Sequence, residues 1–202
     1  MREPLRRALT SDAAIRVISR DGIGAASLRR IAKEAGVPLS SLNHVYPSKE
    51  DLLKDAWNRS YQLVLDIIEE VAETRPPNLE KAVSSLILTF VVGTPSVEVE
   101  EPEDDRVPVW NVNRAQYELY LWAVQASEGS DRAFSDYTGI ILRIEELFNS
   151  YETSGIDVQL LSELVIAMID GLVLQTMSGK SIVAIQKRID RIVLGLISSC
   201  SD

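Results

Sequence analysis

One cysteine, one histidine and no unbroken apolar run of membrane-spanning length leave this 202-residue chain few routes to redox, metal or membrane chemistry. Cys200 alone cannot close an internal disulfide, and the cytoplasm is the expected compartment. His44 has no Cys, Asp or second His at ligand spacing, so no metal and no cofactor is expected. A bilayer span takes roughly 20 predominantly apolar residues, and no run approaches that without interruption, so no membrane role is expected. The amino terminus, Met1 to Arg7, leads into no apolar stretch of the signal-peptide kind. Ten glycines and eight prolines are too few for a collagen-like chain, and 46% apolar content opposes disorder. Walker, dinucleotide-glycine and zinc motifs are all missing. Ser41 and His44 fall on one short outward-facing helix with no pocket or oxyanion donors implied, which is poor material for a hydrolase. No enzyme is expected.

Positive charge is scarce as well, with a net −9, yet it is unevenly placed. Residues 1–60 carry eleven Lys or Arg against seven Asp or Glu, a local +4, and residues 61–202 carry −13. Such asymmetry suits a chain that meets phosphates at one end only.

That end holds the most informative stretch, Ser27 to Asp51. Leu28, Ile31, Ala32 and Ala35 recur at helical spacing, with Ser27 as N-cap. Gly36 follows, where a chain leaving a helix takes a left-handed conformation. Pro38 suits a first helical turn, since its missing amide hydrogen would be unpaired there. Leu42, Val45 and Tyr46 form a second apolar face, leaving Leu39, Ser40, Ser41, Asn43 and His44 mostly outward. Two short helices joined by a glycine turn make a helix-turn-helix, whose second helix fits a DNA major groove.

These residues resemble the TetR family of one-component transcriptional repressors. The resemblance is carried by Ala13-Ala14-Ile15-Arg16-Val17-Ile18, Gly22, Ser27-Leu28-Arg29-Arg30-Ile31-Ala32, Ala35-Gly36-Val37, Ser40-Ser41-Leu42 and Tyr46-Pro47-Ser48-Lys49-Glu50. It covers about a quarter of the chain closely. It implies a sequence-specific DNA-binding regulator, a repressor released by a small molecule, acting as a homodimer on a double-stranded, pseudo-palindromic operator. The DNA-facing set would be Ser27, Arg29, Leu39, Ser40, Ser41, Asn43, His44 and Lys49. Arg29 and Lys49 would position the protein on phosphates, as would His44. Leu39, Ser40, Ser41 and Asn43 would read bases. Asn43 departs from the pattern, standing where the family most often has a phosphate-contacting tyrosine, and asparagine can instead take an adenine edge. That departure and the acidic remainder leave an alternative: a helical small-molecule binding or interaction protein that has lost specific DNA binding.

Periodicity predicts an all-α fold of about nine helices: a helix-turn-helix domain over 1–50 and a larger ligand-binding and dimerisation domain over 51–202. Helices are expected near 5–20, burying Leu9, Ala13, Ala14, Val17 and Ile18, then through the motif, and over 49–74 behind a Ser48–Asp51 capping box. Others follow near 79–92, 109–126, 131–152, 158–178 (capped by Asp157) and 182–199 (capped by Ser181). Prolines and carboxylates over 93–108 predict an acidic loop, although Val97–Glu100 alternates like a strand.

The aromatic residues are scarce, only 6% of the chain, and concentrate in its middle. In a helical domain they are ordinary core material. However, Arg114, Gln116, Glu118 and Gln175 interrupt the same apolar helices, and apolar walls with a few polar groups make a small-molecule site. An apolar or amphipathic effector is therefore expected among Phe90, Trp110, Tyr117, Leu121 and Gln175, with the helix from Lys49 transmitting a tilt to the DNA end. The last two helices carry more apolar residues than one face of a monomer needs, and Gly171 would permit close helix approach. Homodimerisation through them as a four-helix bundle is the expectation.

Overall fold

The computed structural model describes residues 3–92, 109–125, 130–178 and 182–201. Among them the chain forms ten α-helices: α1 Glu3–Asp21, α2 Leu28–Glu34, α3 Leu39–Val45, α4 Lys49–Glu73, α5 Leu79–Val92, α6 Val109–Gln125, α7 Ser130–Phe148, α8 Val158–Met177, α9 Ile182–Gln186 and α10 Ile189–Ser199. A 3-10 turn, Ile23–Ala25, joins α1 to α2. No strand occurs among the described residues, only an isolated bridge between Ile156 and Ser201. The expected all-α architecture is what the chain adopts. The expected acidic loop at 93–108 and the Ser181 cap lie outside the described residues.

Local chemistry accounts for most boundaries. Ser27 Oγ accepts from the Arg30 amide at 3.3 Å, Ser48 Oγ from that of Asp51 at 3.1 Å, and Asp157 Oδ1 from that of Leu160 at 3.0 Å. Each satisfies an amide that a helix start leaves orphaned. Gly36, at φ 65°, closes α2 in a Schellman motif: its amide donates to Lys33 O, and the Val37 amide to Ala32 O. Pro38 stands one position earlier than expected, as the N-cap of α3.

Two boundaries differ from the periodicity reading. The stretch expected as one final helix is two, because the Arg188 amide turns back to Ile185 O and separates α9 from α10. Helix α7 stops at Phe148, where Ser150 and Tyr151 bond three residues back and tighten the chain out of the α-helix.

The chain divides into two compact units. The first comprises Met1–Leu63 with Arg106–Ser135. In it α1 packs on α6 and α2, and α2 on α3, around Ala14, Ile18, Ile31, Leu42, Leu52 and Leu119. The Trp57 and Tyr120 rings meet at 5.9 Å beside this core. Leu9 is 41% exposed, contrary to expectation. Thr10 and Ser11 take the buried positions instead. Thr10 Oγ1 donates to Arg6 O at 2.7 Å. Satisfied hydroxyls can be buried at little cost, and Ala13, Ala14, Val17 and Ile18 are buried as expected, so the apolar stripe misplaced Leu9 alone.

The second unit comprises Val64–Asp105 with Asp136–Asp202. Here α5 packs against α8, α9 and α10, and α8 against α10. Leu86, Ile87, Leu161, Val165 and Val193 are fully buried. The Asp157 amide donates to Cys200 O at 2.8 Å, tying the start of α8 to the end of α10. By length and composition α8 could cross a membrane. Seven of its residues are buried in the unit, and Glu163 and Asp170 interrupt it, an expensive pair for a bilayer interior.

Candidate nucleic-acid interface

The outward residues of the helix-turn-helix stand on a framework fixed from below. Leu42 and Tyr46 point inward from α3 and its end, and Ile31 and Ala32 from α2. Their opposite faces carry Ser27, Arg29, Leu39, Ser40, Asn43 and His44 exposed, with Ser41 half-buried. Two of the residues expected to face DNA also have structural work. Ser27 caps α2, and half-buried Lys49 donates from Nζ to Ile23 O at 3.1 Å.

Charge separates the basic side chains into two groups. Arg30 pairs with Asp21 at 2.7 Å, and Arg16 and Arg20 share Glu34 at 3.1 Å each. Arg29 and Lys33 have no carboxylate partner among the described residues, so their charge is directed to solvent. Burial pushes the Glu34 carboxyl up, but hydrogen bonds from Arg20 and Arg16 outweigh it and hold the group below its ordinary 4.5. A lowered folded value stabilises the native state above the ordinary value and loses that contribution as pH falls through the folded one. Glu34→Gln should therefore flatten the acid limb of a pH-stability curve below 4.5 and leave neutral pH least changed in slope; an unaltered acid limb contradicts this.

The end of α3 is braced by a cluster that sequence reasoning missed. Tyr46 Oη donates to Asp55 Oδ2 at 2.9 Å, and Arg7 Nη1 donates to the same oxygen at 2.8 Å. The Arg7 guanidinium lies 5.2 Å above the Tyr46 ring, a cation–π contact. Burial, then the Asp55 carboxylate, pushes the Tyr46 hydroxyl far above its ordinary value, so it remains a donor. One carboxylate thus joins α1, the end of α3 and α4. Apolar periodicity gives Tyr46 only an inward face, and Arg7 and Asp55, 48 residues apart, offer no pairing signal in the sequence.

A second missed arrangement corrects an expectation. Arg114 and Glu118 of α6 were read as polar groups suited to a ligand cavity. Instead, Arg114 Nη1 donates to Ser19 O at 3.3 Å and Arg20 O at 3.4 Å, while its Nε donates to Glu118 Oε1 at 2.9 Å. Glu118 Oε2 in turn accepts from the Ile23 amide. These groups are committed to the corner between α1 and α2. The remaining ligand candidates divide between the units. Tyr117, half-buried, and Leu121, exposed, lie one turn apart on α6 of the first. Phe90, buried on α5, and Gln175, exposed on α8, belong to the second. Trp110 lies on α6, and its side chain is outside the described residues. No group of three or more metal-capable side chains occurs among the described residues.

Comparison with known proteins decides the family. The family model described as bacterial regulatory proteins of the tetR family matches residues 11–56. The HTH-type transcriptional regulator PksA of Bacillus subtilis (strain 168) is 30% identical over 96% of this chain and 89% of its own length. The chain belongs to the TetR family. The nicotine-responsive transcriptional repressor HdnoR of Paenarthrobacter nicotinovorans is 26% identical over 87% of this chain and 86% of its own. A solved TetR-family member from Streptomyces coelicolor A3 shares the fold at a TM-score of 0.65 and 22% identity, covering 95% of this chain and 98% of that one. As a TetR-family protein the chain is a DNA-binding transcriptional regulator, and its helix-turn-helix occupies the matched segment.

Proposed function

We propose that this regulator is a cytoplasmic homodimeric repressor that grips a pseudo-palindromic operator and is released by a small apolar or amphipathic molecule; it performs no catalysis. The observation that carries the DNA half is the segregation of exposed Arg29, Ser40, Asn43 and His44 from the buried Ile31, Leu42 and Tyr46 beneath them. Residues 1–50 do the reading. The effector half is supported by the nicotine responsiveness of HdnoR. Phe90, Trp110, Tyr117, Leu121 and Gln175 remain the residues proposed to meet the effector.

Dimerisation is supported by the outer face of α8. Leu160, Leu164, Ala167, Gly171, Leu174 and Ser178 alternate at spacings of four and three, the seam of a coiled coil. None of the six is fully buried. A Cβ built on Gly171 meets nothing within 4 Å, so the small centre of this seam is open to a second helix. Leu194 of α10 is exposed too, whereas Ile189 is 3% exposed and belongs to the core. A charge at Ile189 would unfold the unit, so it is unsuitable as a probe of the dimer.

The test is quantitative binding to the DNA upstream of the protein's own gene, with a panel of single-base changes. Lys49→Ala should weaken all sequences alike and shallow the salt slope, because a lost phosphate contact releases fewer counterions. Asn43→Ala should change discrimination at one base pair by about 1–3 kcal/mol. Equal relative affinities across the panel would remove Asn43 from the readout. A compound that shifts tryptophan fluorescence should also release the operator, since coupled ligands must favour different states.

A further inference from the structure

We propose that Glu118 and Arg114 of α6 are positioning residues for DNA binding, holding the α1–α2 corner and, through Ile23, the Lys49 ammonium in the DNA-competent arrangement. The inference rests on the DNA-contacting reading of Lys49 and goes beyond it.

At the corner some backbone groups lose their helical partners, although Gly22 still donates to Ile18 O and Ala26 to Ile23 O. The last carbonyls of α1 lie beyond the helix ladder, and the first amide of a 3-10 turn has no carbonyl behind it. Arg114 takes the carbonyls of Ser19 and Arg20, and Glu118 takes the Ile23 amide. All three bonds are charge-assisted, the stronger kind. The two side chains also pair with each other across one helical turn, at 2.9 Å, which orients both.

Gly22 makes the approach possible. It sits at φ 83°, and a Cβ there would stand 3.3 Å from Arg114 Nη2 and 3.4 Å from Glu118 Oε2. The backbone turn and the α6 pair therefore fit one another, although 95 residues separate Ile23 from Glu118.

The corner then reaches the DNA face. The Ile23 carbonyl accepts from Lys49 Nζ at 3.1 Å, so the two backbone groups of one residue link a carboxylate of α6 to the first residue of α4. Three residues further on stands Ala26, fully buried, and then Ser27, the cap of α2. A rotation of α6 that withdraws Glu118 frees the Ile23 amide, loosens the turn and removes the fixed seat of Lys49. Tyr117 and Leu121, proposed to meet the effector, flank Glu118 on the same helix. An effector that turns α6 would act on the operator by this route.

Two variants of the full-length protein test it. In Glu118→Ala the Ile23 amide, followed by hydrogen exchange, should exchange at least about tenfold faster, while amides of α5 and α8 keep their rates. Operator affinity should fall about tenfold or more, and Glu118→Gln, whose amide oxygen still accepts from Ile23, should recover most of it. Combined with Lys49→Ala, the losses should be less than additive, because both act on one contact. Additive losses, no recovery by glutamine, or unchanged Ile23 exchange would each overturn the proposal. Wild-type protein that shows no specific binding removes the DNA reading and this role with it. Specific binding that is identical in wild type and Glu118→Ala removes the positioning role alone.

Discussion

Leu42→Ala is expected to lower the stability of the DNA-reading unit by about 2–5 kcal/mol and to abolish specific DNA binding at physiological temperature. Leu42 is fully buried on a helix of only seven residues. So short a helix has too few hydrogen bonds to persist by itself and depends on tertiary packing. Its inward anchors are few: Leu42 and Tyr46, with Val45 only partly covered. Removing Leu42 leaves a cavity against α2, where Ile31 lies buried in the same core. Chemical denaturation read by tryptophan emission would report the loss through Trp57, which sits in that core. Leu39→Ala, which removes a similar apolar side chain from the exposed face of the same helix, should cost little stability. If the two variants unfold alike, Leu42 does not anchor α3.

Leu174→Glu should leave each chain folded and split the proposed dimer. Leu174 is 51% exposed in the single chain, so a carboxylate there meets water and the fold is spared. In a two-fold interface the same substitution appears twice, placing two like charges in an apolar seam, where an unpaired buried charge costs several kcal/mol. Since each 1.4 kcal/mol is a tenfold change in an equilibrium constant, dissociation should rise by about two orders of magnitude or more. Specific DNA affinity should fall with it, because a monomer occupies one half-site and loses the second. Sedimentation at micromolar concentration checks the first effect and operator titration the second. A variant that remains dimeric would move the interface off the α8 seam.

The chain's own letters exposed the helix-turn-helix because its chemistry is local. Ser27, Gly36 and Ser48 act within four residues of themselves, capping and turning the chain, and each does so in the structure. Leu9 was misjudged for the opposite reason. Apolar periodicity cannot tell that the Thr10 hydroxyl bonds the Arg6 carbonyl and can be buried in its place. The break between α9 and α10 depends on a single three-residue hydrogen bond, which no propensity marks. Arg114 and Glu118 were conspicuous as charges in an apolar helix, but their targets lie 94 and 95 residues away, and pattern alone pointed to a cavity. The Arg7–Asp55–Tyr46 cluster was hidden in the same way, its members being ordinary residues until folding brings them together.

The most direct test of the account is a footprint of the purified protein on the DNA upstream of its gene, titrated in the presence of excess unrelated duplex. Saturable protection is expected at about 10 nM or tighter, over two symmetric half-sites whose centres are whole helical turns apart, with one dimer or a multiple of dimers bound. Sequence-blind protection that disappears as salt rises, with no symmetric pair of sites, would contradict it.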